Sequence, residues 1–272
     1  MREAASSYNT IICAQAEGRT LARMSEIEVA SCAGVCEIRL NRPDKRNAVT
    51  LAMYGVLRKA LEDADADDSV RVVLLSGAGA SFTAGNDLSD FVSGPSLGED
   101  HPAARFIRLL PNLRKVMIAA VHGATVGIGV TLLLHCDLVV AARNTRLSVP
   151  FVRLGLVPEA GSSLLLPRLI GYQRAAEMLL LGAPIDSARA LEAGLVTRVV
   201  EDDSLMNEAR AMALSVAQQP AGALLATRRL LHSRSSDVRE RIEEELSAFQ
   251  ERLGAAEFRA AAQDFFNKKR SS

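Results

Sequence analysis

Tryptophan is absent, and aromatic residues make up only 4% of the 272 residues. Little surface is left on which single-stranded bases could stack. Neither sign of charge dominates: 32 basic and 32 acidic residues give a formal net charge of zero. No nucleic-acid partner is expected, although a local basic patch can still hold a phosphate. The four cysteines, Cys13, Cys32, Cys36 and Cys136, follow no zinc-ligand spacing and are too few for a disulfide scaffold in so long a chain. Reduced thiols and a cytoplasmic location are the expectation. No apolar run reaches the ~18–20 residues of a transmembrane helix. The apolar piece Thr10–Ala14 is too short for a signal-peptide core, and the final Lys-Arg-Ser-Ser is no Ser-Lys-Leu peroxisomal address. No membrane partner is expected. P-loop and nucleophile-elbow motifs are missing as well. The G-x-G at Gly127–Gly129 lacks the third glycine and the later acidic residue of a dinucleotide fingerprint.

What is present is apolar and patterned. Hydrophobic residues reach 49%, enough for a large core. Residues 1–24 are Ala/Ser-rich and aperiodic and read as a loosely held tail. Ile27–Ala30 and Val35–Leu40 read as a hairpin broken at Ser31–Gly34. A helix follows over Thr50–Ala64, with Thr50 as its N-cap. Val70–Ser76, Val116–Val121 and Asp137–Ala142 read as strands. The first is apolar at nearly every position after Arg71, as in a sheet covered on both faces. Ser93–Asp100 reads as a mobile surface loop and Pro102–Arg114 as a helix. After Pro158 the periodicity is helical, including Gln173–Leu181, with Val196–Val200 as the one strand. Strands alternating with helices imply a parallel α/β sheet followed by a helical carboxyl-terminal part.

Three places can carry chemistry. The corner Ala84-Gly85-Asn86-Asp87 brings the backbone close to a ligand and frees the Asn86 N–H, although such a turn is often just a turn. A second corner, Gly123–Gly129, opens an apolar helix whose first N–H groups and dipole can hold a developing negative oxygen. Glu159 then stands in an otherwise apolar run ahead of a helix. It is either a first-turn glutamate favoured by the helix dipole or a general base in a dry pocket. His122 and His135 sit in apolar stretches and read as structural; His101 and His232 read as surface residues. Lys45-Arg46 and Lys268-Lys269-Arg270 are solvated basic groups or phosphate contacts.

NRPDKRNAVT (41–50), FTAGNDLSDF (82–91), VHGATVGIGVTLLLHCDLVVA (121–141), VPFVRLGLVPEAGSS (149–163) and FFNKKR (265–270) together resemble the crotonase (enoyl-CoA hydratase/isomerase) superfamily over roughly residues 25–270. The resemblance implies a ββα spiral core over 25–205, a helical oligomerisation region over 206–272, and homotrimers or dimers of trimers. It also implies an acyl-CoA thioester whose oxygen lies between the N–H groups of Asn86 and Ile128. Hydratases of this superfamily use two glutamates; their positions here are Thr131 and Phe151, neither of them an acid. The peroxisomal-type Δ3-Δ2-enoyl-CoA isomerases are more similar, and in them the catalytic glutamate takes the place of Glu159.

What this implies is a single-base proton shuttle in fatty-acid metabolism: Glu159 moves a proton from C2 to C4 of a 3-enoyl-CoA across an oxyanion-stabilised dienolate. Phe151 would line the acyl pocket. Lys45, Arg46, Ala84, Asp87 and Leu88 would receive the CoA, with Lys268 or Lys269 reaching its phosphates. No metal and no separate cofactor is expected, coenzyme A being part of the substrate. Hydration, thioester hydrolysis or dehalogenation in the same pocket, or non-catalytic acyl-CoA binding, are the alternatives.

Overall fold

A computed structural model describes residues 26–93, 97–232 and 235–270. The amino-terminal stretch 1–24 and positions 94–96 of the expected surface loop lie outside the described residues. Strands β1 (Ile27–Cys32) and β2 (Val35–Leu40) form an antiparallel hairpin. Ala33 and Gly34, with φ of 51° and 80°, make its two-residue turn. The break is therefore shorter than Ser31–Gly34, because Ser31 and Cys32 still pair with Cys36 and Val35. Strands β3 (Val72–Gly77), β4 (Val116–Val121), β6 (Leu138–Ala142) and β9 (Arg198–Val200) extend the sheet in the order β1-β2-β3-β4-β6-β9. Every pairing after the hairpin is parallel. Beside it lies a small sheet of β5 (Ala124–Val126), β7 (Arg146–Ser148) and β8 (Ile185–Asp186).

The helices are α1 (Leu51–Ala66), α2 (Leu88–Ser93), α3 (Pro102–Leu109), α4 (Ile128–Thr131), α5 (Ser162–Ile170), α6 (Tyr172–Ala176), α7 (Ser187–Glu192), α8 (Leu205–Ala217), α9 (Ala221–Leu231), α10 (Ser235–Leu253) and α11 (Ala256–Arg270). Thr50 caps α1, its side chain accepting the Met53 N–H at 3.1 Å. Alternation along the strands divides the core. Val72, Leu74, Ile118 and Ala120 pack against Leu205, Ala209 and Ala213 of α8. Val73, Leu75, Met117 and Ala119 face the larger cluster containing Tyr54, Leu57, Phe82 and Phe106. Strands buried on both faces account for the continuous apolar runs of β3 and β4. No helix among the described residues is long and apolar enough to cross a membrane.

Several local expectations change. The helix expected over Pro102–Arg114 ends at Leu109 and continues as a 3₁₀ turn over Leu110–Asn112, since Pro111 can donate no N–H. Gln173–Leu181 is α-helical only to Ala176 and then a π turn over Glu177–Leu181. Leu97, in the loop expected to be mobile, is buried, and its N–H donates to the Gln250 side chain on α10. His101 is no surface residue: it is buried at the N-cap of α3, its ring 5.8 Å from that of Phe91. His232 is half-buried and paired with Asp137 at 2.9 Å.

Candidate active site

The two corners are joined by backbone hydrogen bonds. Thr83 N–H donates to Ala124 O at 3.1 Å, and Val126 N–H returns to Thr83 O at 3.0 Å. Gly85 has φ of 90°, and a Cβ there would lie 3.0 Å from Val126 O, so the two backbones touch. A Cβ on Gly129 would meet Thr83 Cγ2 at 2.4 Å. Asn47, fully buried, fastens the first corner from below. Its Nδ2 donates to Ala78 O and Ser81 O, each at 2.8 Å, and its carbonyl accepts the Thr83 hydroxyl at 2.6 Å.

This bonding selects particular free donors. In the first corner Thr83 N–H goes to Ala124 O, Ala84 N–H to Arg46 O, Gly85 N–H to Thr83 Oγ1 and Asp87 N–H to Val49 O. The N–H of Asn86 alone in that run has no acceptor among the described residues. In the second corner Gly127 N–H goes to Ser148 O, while those of Val130 and Thr131 turn back to Gly127 O. Ile128 and Gly129 keep theirs, as the first residues of a helix must. That helix is only one α turn, followed by a 3₁₀ turn over Leu132–His135. The positive end comes from two local N–H groups rather than from the dipole of a long helix.

The acid approaches from the next segment. Ala160 and Gly161, at φ of 59° and 73°, turn the chain sharply into α5. Glu159 just before them is buried, with Oε1 2.5 Å from the Thr131 hydroxyl and Oε2 without a hydrogen-bond partner among the described residues. Burial pushes its pKa up to about 8; the Thr131 contact pulls the other way and the charge of Glu245 adds to the rise. The hydrogen bonds at the start of α5 are made not by the Glu159 side chain but by another acid. Glu245 of α10 accepts the N–H of Gly161 at 2.6 Å and of Ser163 at 2.8 Å.

Tyr54 of α1 ties the acid to the first corner. Its hydroxyl donates to Asn86 Oδ1 at 2.5 Å, and its ring packs 5.2 Å from that of Phe106. Burial raises the phenol's pKa, and the nearby Glu159 charge raises it further. Tyr54 thus bonds Asn86, Thr131 bonds Glu159, and the charge of Glu159 is felt at the Tyr54 phenol. An apolar cavity of about 30 Å³ adjoins it, lined by Tyr54, Phe82, Phe106, Ile128, Gly129 and Leu132 among others.

The remaining expected site residues fall into place unequally. Lys45 and Arg46 are exposed on the turn over Pro43–Lys45, which Ala84 N–H fastens to the first corner through Arg46 O. Ala84 and Leu88 are half-buried beside them. Asp87 is taken up structurally, with Arg42 Nη1 at 2.7 Å and the Ser89 hydroxyl at 2.6 Å. Phe151 is buried in the main core but does not line the cavity. Lys268 and Lys269 lie on α11, and their side chains are outside the described residues. Sequence reasoning passed over Asn47, Tyr54 and Glu245. Glu245 had left a trace, an acid on the apolar face of α10 between Ile242 and Phe249, where only a buried partner explains it. Among the described residues no three His, Cys, Asp or Glu side chains gather to hold a metal ion.

Comparison with known proteins agrees with this architecture. Residues 30–272 match the family described as Enoyl-CoA hydratase/isomerase. The 1,2-epoxyphenylacetyl-CoA isomerase of Escherichia coli K12 is 36% identical over 212 residues, 75% of this chain and 81% of the relative. Enoyl-CoA delta isomerase 2 of Rattus norvegicus is 34% identical over 80% of this chain, which spans only 57% of that longer protein. Among solved structures, Pseudomonas aeruginosa OdaA superposes with a TM-score of 0.86 at 43% identity, covering 89% of this chain and 98% of its own. An enoyl-CoA hydratase/isomerase from Pseudoalteromonas atlantica T6c gives 0.86 at 38%, covering 90% and 98%. The hairpin-led parallel sheet, the paired glycine corners and the helical end are the crotonase fold, and the chain belongs to the enoyl-CoA hydratase/isomerase family.

Proposed function

We propose that this protein is a Δ3-Δ2-enoyl-CoA isomerase working with one carboxylate. The observation that carries the reading is Glu159: a buried acid with one oxygen held by Thr131 and the other without a partner among the described residues. Ionised Glu159 takes the C2 proton of a 3-enoyl-CoA. The electron pair moves through the thioester to its oxygen, which the N–H groups of Asn86 and Ile128 stabilise. Glu159 then returns the proton at C4, and the double bond ends between C2 and C3. One base serves both steps because C2 and C4 lie on one face of a planar dienolate. A hydratase must also position a water with a second acid, and at positions 131 and 151 this chain carries threonine and phenylalanine. A pKa near 8 suits a base working around neutral pH.

In the same proposal the CoA lies over Lys45, Arg46 and the 84–88 loop, Lys268 or Lys269 reaches its phosphates, and the protein assembles as trimers. The loop's attachment to the 43–46 turn supports the first of these. Relatives named as delta isomerases stand beside others named as hydratases, so the choice of isomerisation rests on positions 131 and 151. The test is proton exchange and product analysis with 3-enoyl-CoA esters in deuterated water. Wild type should form the 2-enoyl product with deuterium exchange, and Glu159→Gln should lose both while still binding acyl-CoA. Turnover unchanged by Glu159→Gln would remove the proposed base.

A further inference from the structure

The carboxyl of Glu159 is framed asymmetrically by residues from three distant parts of the chain. Thr131 Oγ1 stands 2.5 Å from Oε1 and only 3.4 Å from its other neighbour, Ile128 O, so its hydrogen goes to the acid. Oε2 is enclosed with no partner. The N–H groups of Gly161 and Ser163 open α5 just beyond the base. Glu245 has taken both, one on each oxygen, at 2.6 Å and 2.8 Å. Burial raises the pKa of Glu245, and the bonds from Ser163 and Gly161 lower it. Glu245 is itself buried and reaches across 84 residues of sequence to do this.

We propose that Glu245 is a positioning residue for the base: by binding the start of α5 it holds the turn that follows Glu159, and with Thr131 it leaves Oε2 as the single oxygen that takes and returns the proton. The inference rests on the isomerase reading above. It assigns opposite tasks to the two partners. Thr131 favours the ionised base and fixes its rotamer; Glu245 anchors the turn behind it, and its charge opposes ionisation. The other titratable groups on this side are Tyr54 of α1, bonded to Asn86, and His135, whose Nε2 lies 2.8 Å from Ala160 O. Burial pulls the His135 pKa down to about 4, so it adds no charge near neutrality. Arg241, on the same helix as Glu245, pairs with Glu244 at 3.2 Å, and its charge lowers the Glu245 pKa slightly.

The experiment is the pH dependence of kcat/KM with 3-hexenoyl-CoA for wild type, Glu245→Gln, Thr131→Val and Thr131→Ser, with Glu159→Gln as control. Glu245→Gln keeps an acceptor but no charge, and its acid limb should move down by roughly one pH unit. Thr131→Val should move the limb up by a similar amount, and Thr131→Ser should restore it. A merely structural part for either residue would lower the rate at every pH and leave the limb in place, which overturns the proposal. Limbs moving in the same direction overturn it too. If Glu245→Gln does not fold, the Thr131 pair decides alone, and an unmoved limb there refutes the claim. Turnover retained by Glu159→Gln would fell the isomerase reading itself; an inert Glu159→Gln with stationary limbs would fell only the positioning role.

Discussion

Replacing Glu159 with glutamine should make the protein inert and more stable together, and the gain should grow with pH. An unfolded glutamate gives up its proton near 4.5, the buried one near 8. Between those values the unfolded chain is ionised and the native one is not, so each step up in pH favours unfolding. At about 1.4 kcal/mol per pH unit, the native state forfeits less than ~1 kcal/mol at about pH 5, ~3 kcal/mol at about pH 7 and ~5 kcal/mol above the folded pKa, where the effect levels off. Glutamine has nearly the same shape, keeps a contact for the Thr131 hydroxyl and cannot ionise. Thermal unfolding of both proteins across this range should show the variant's advantage widening by ~5–10 °C between about pH 5 and about pH 7, at ~2–4 °C per kcal/mol for a chain of this size. A difference in melting temperature that stays constant with pH would refute the reasoning, because it would mean that residue 159 is already charged in the native state.

The same pKa sets the rate profile: kcat/KM should climb about tenfold per unit on the acid side and flatten above the pKa of Glu159, read by initial rates in constant-ionic-strength buffers. Asn47→Ala removes two buried bonds to Ala78 O and Ser81 O and should lower stability by ~2–4 kcal/mol in urea titrations. Gly85→Ala places a methyl 3.0 Å from Val126 O at a φ of 90° and should push the two corners apart. It should lower kcat by roughly 10²-fold with a smaller change in KM, the signature of a displaced oxyanion donor.

Much of the architecture could be read from the chain because burial wrote it there. β3 and β4 are buried along nearly their whole lengths, and only apolar side chains fill them. The short strands were not legible. β5 and β7 are three residues each and β8 is two; partners set 20 to 40 positions away define them, not any local period. His101 reads as a surface residue in the sequence, whereas the Phe91 ring packs beside it at the start of α3. The site was half visible. The glycine corners marked Asn86 and Ile128, since close backbone contact demands glycine. Glu159 stayed ambiguous between helix start and base, because what separates the two readings is Glu245, a residue from another helix. The expectation that Phe151 lines the pocket followed a likeness in sequence, while its side chain packs in the main core.

The reach of Glu245 to Gly161, and of Gln250 to Leu97, also bears on how the protein matures during synthesis. A nascent chain can pair all six strands of the main sheet by the time Val200 has left the ribosome, long before α10 exists. Until that helix emerges and docks, the N–H groups of Gly161 and Ser163 lack their Glu245 partner, although Thr131 and His135 already reach Glu159 and Ala160. The scaffold is therefore encoded well ahead of the last contacts around residue 159, which a helix far along the sequence supplies.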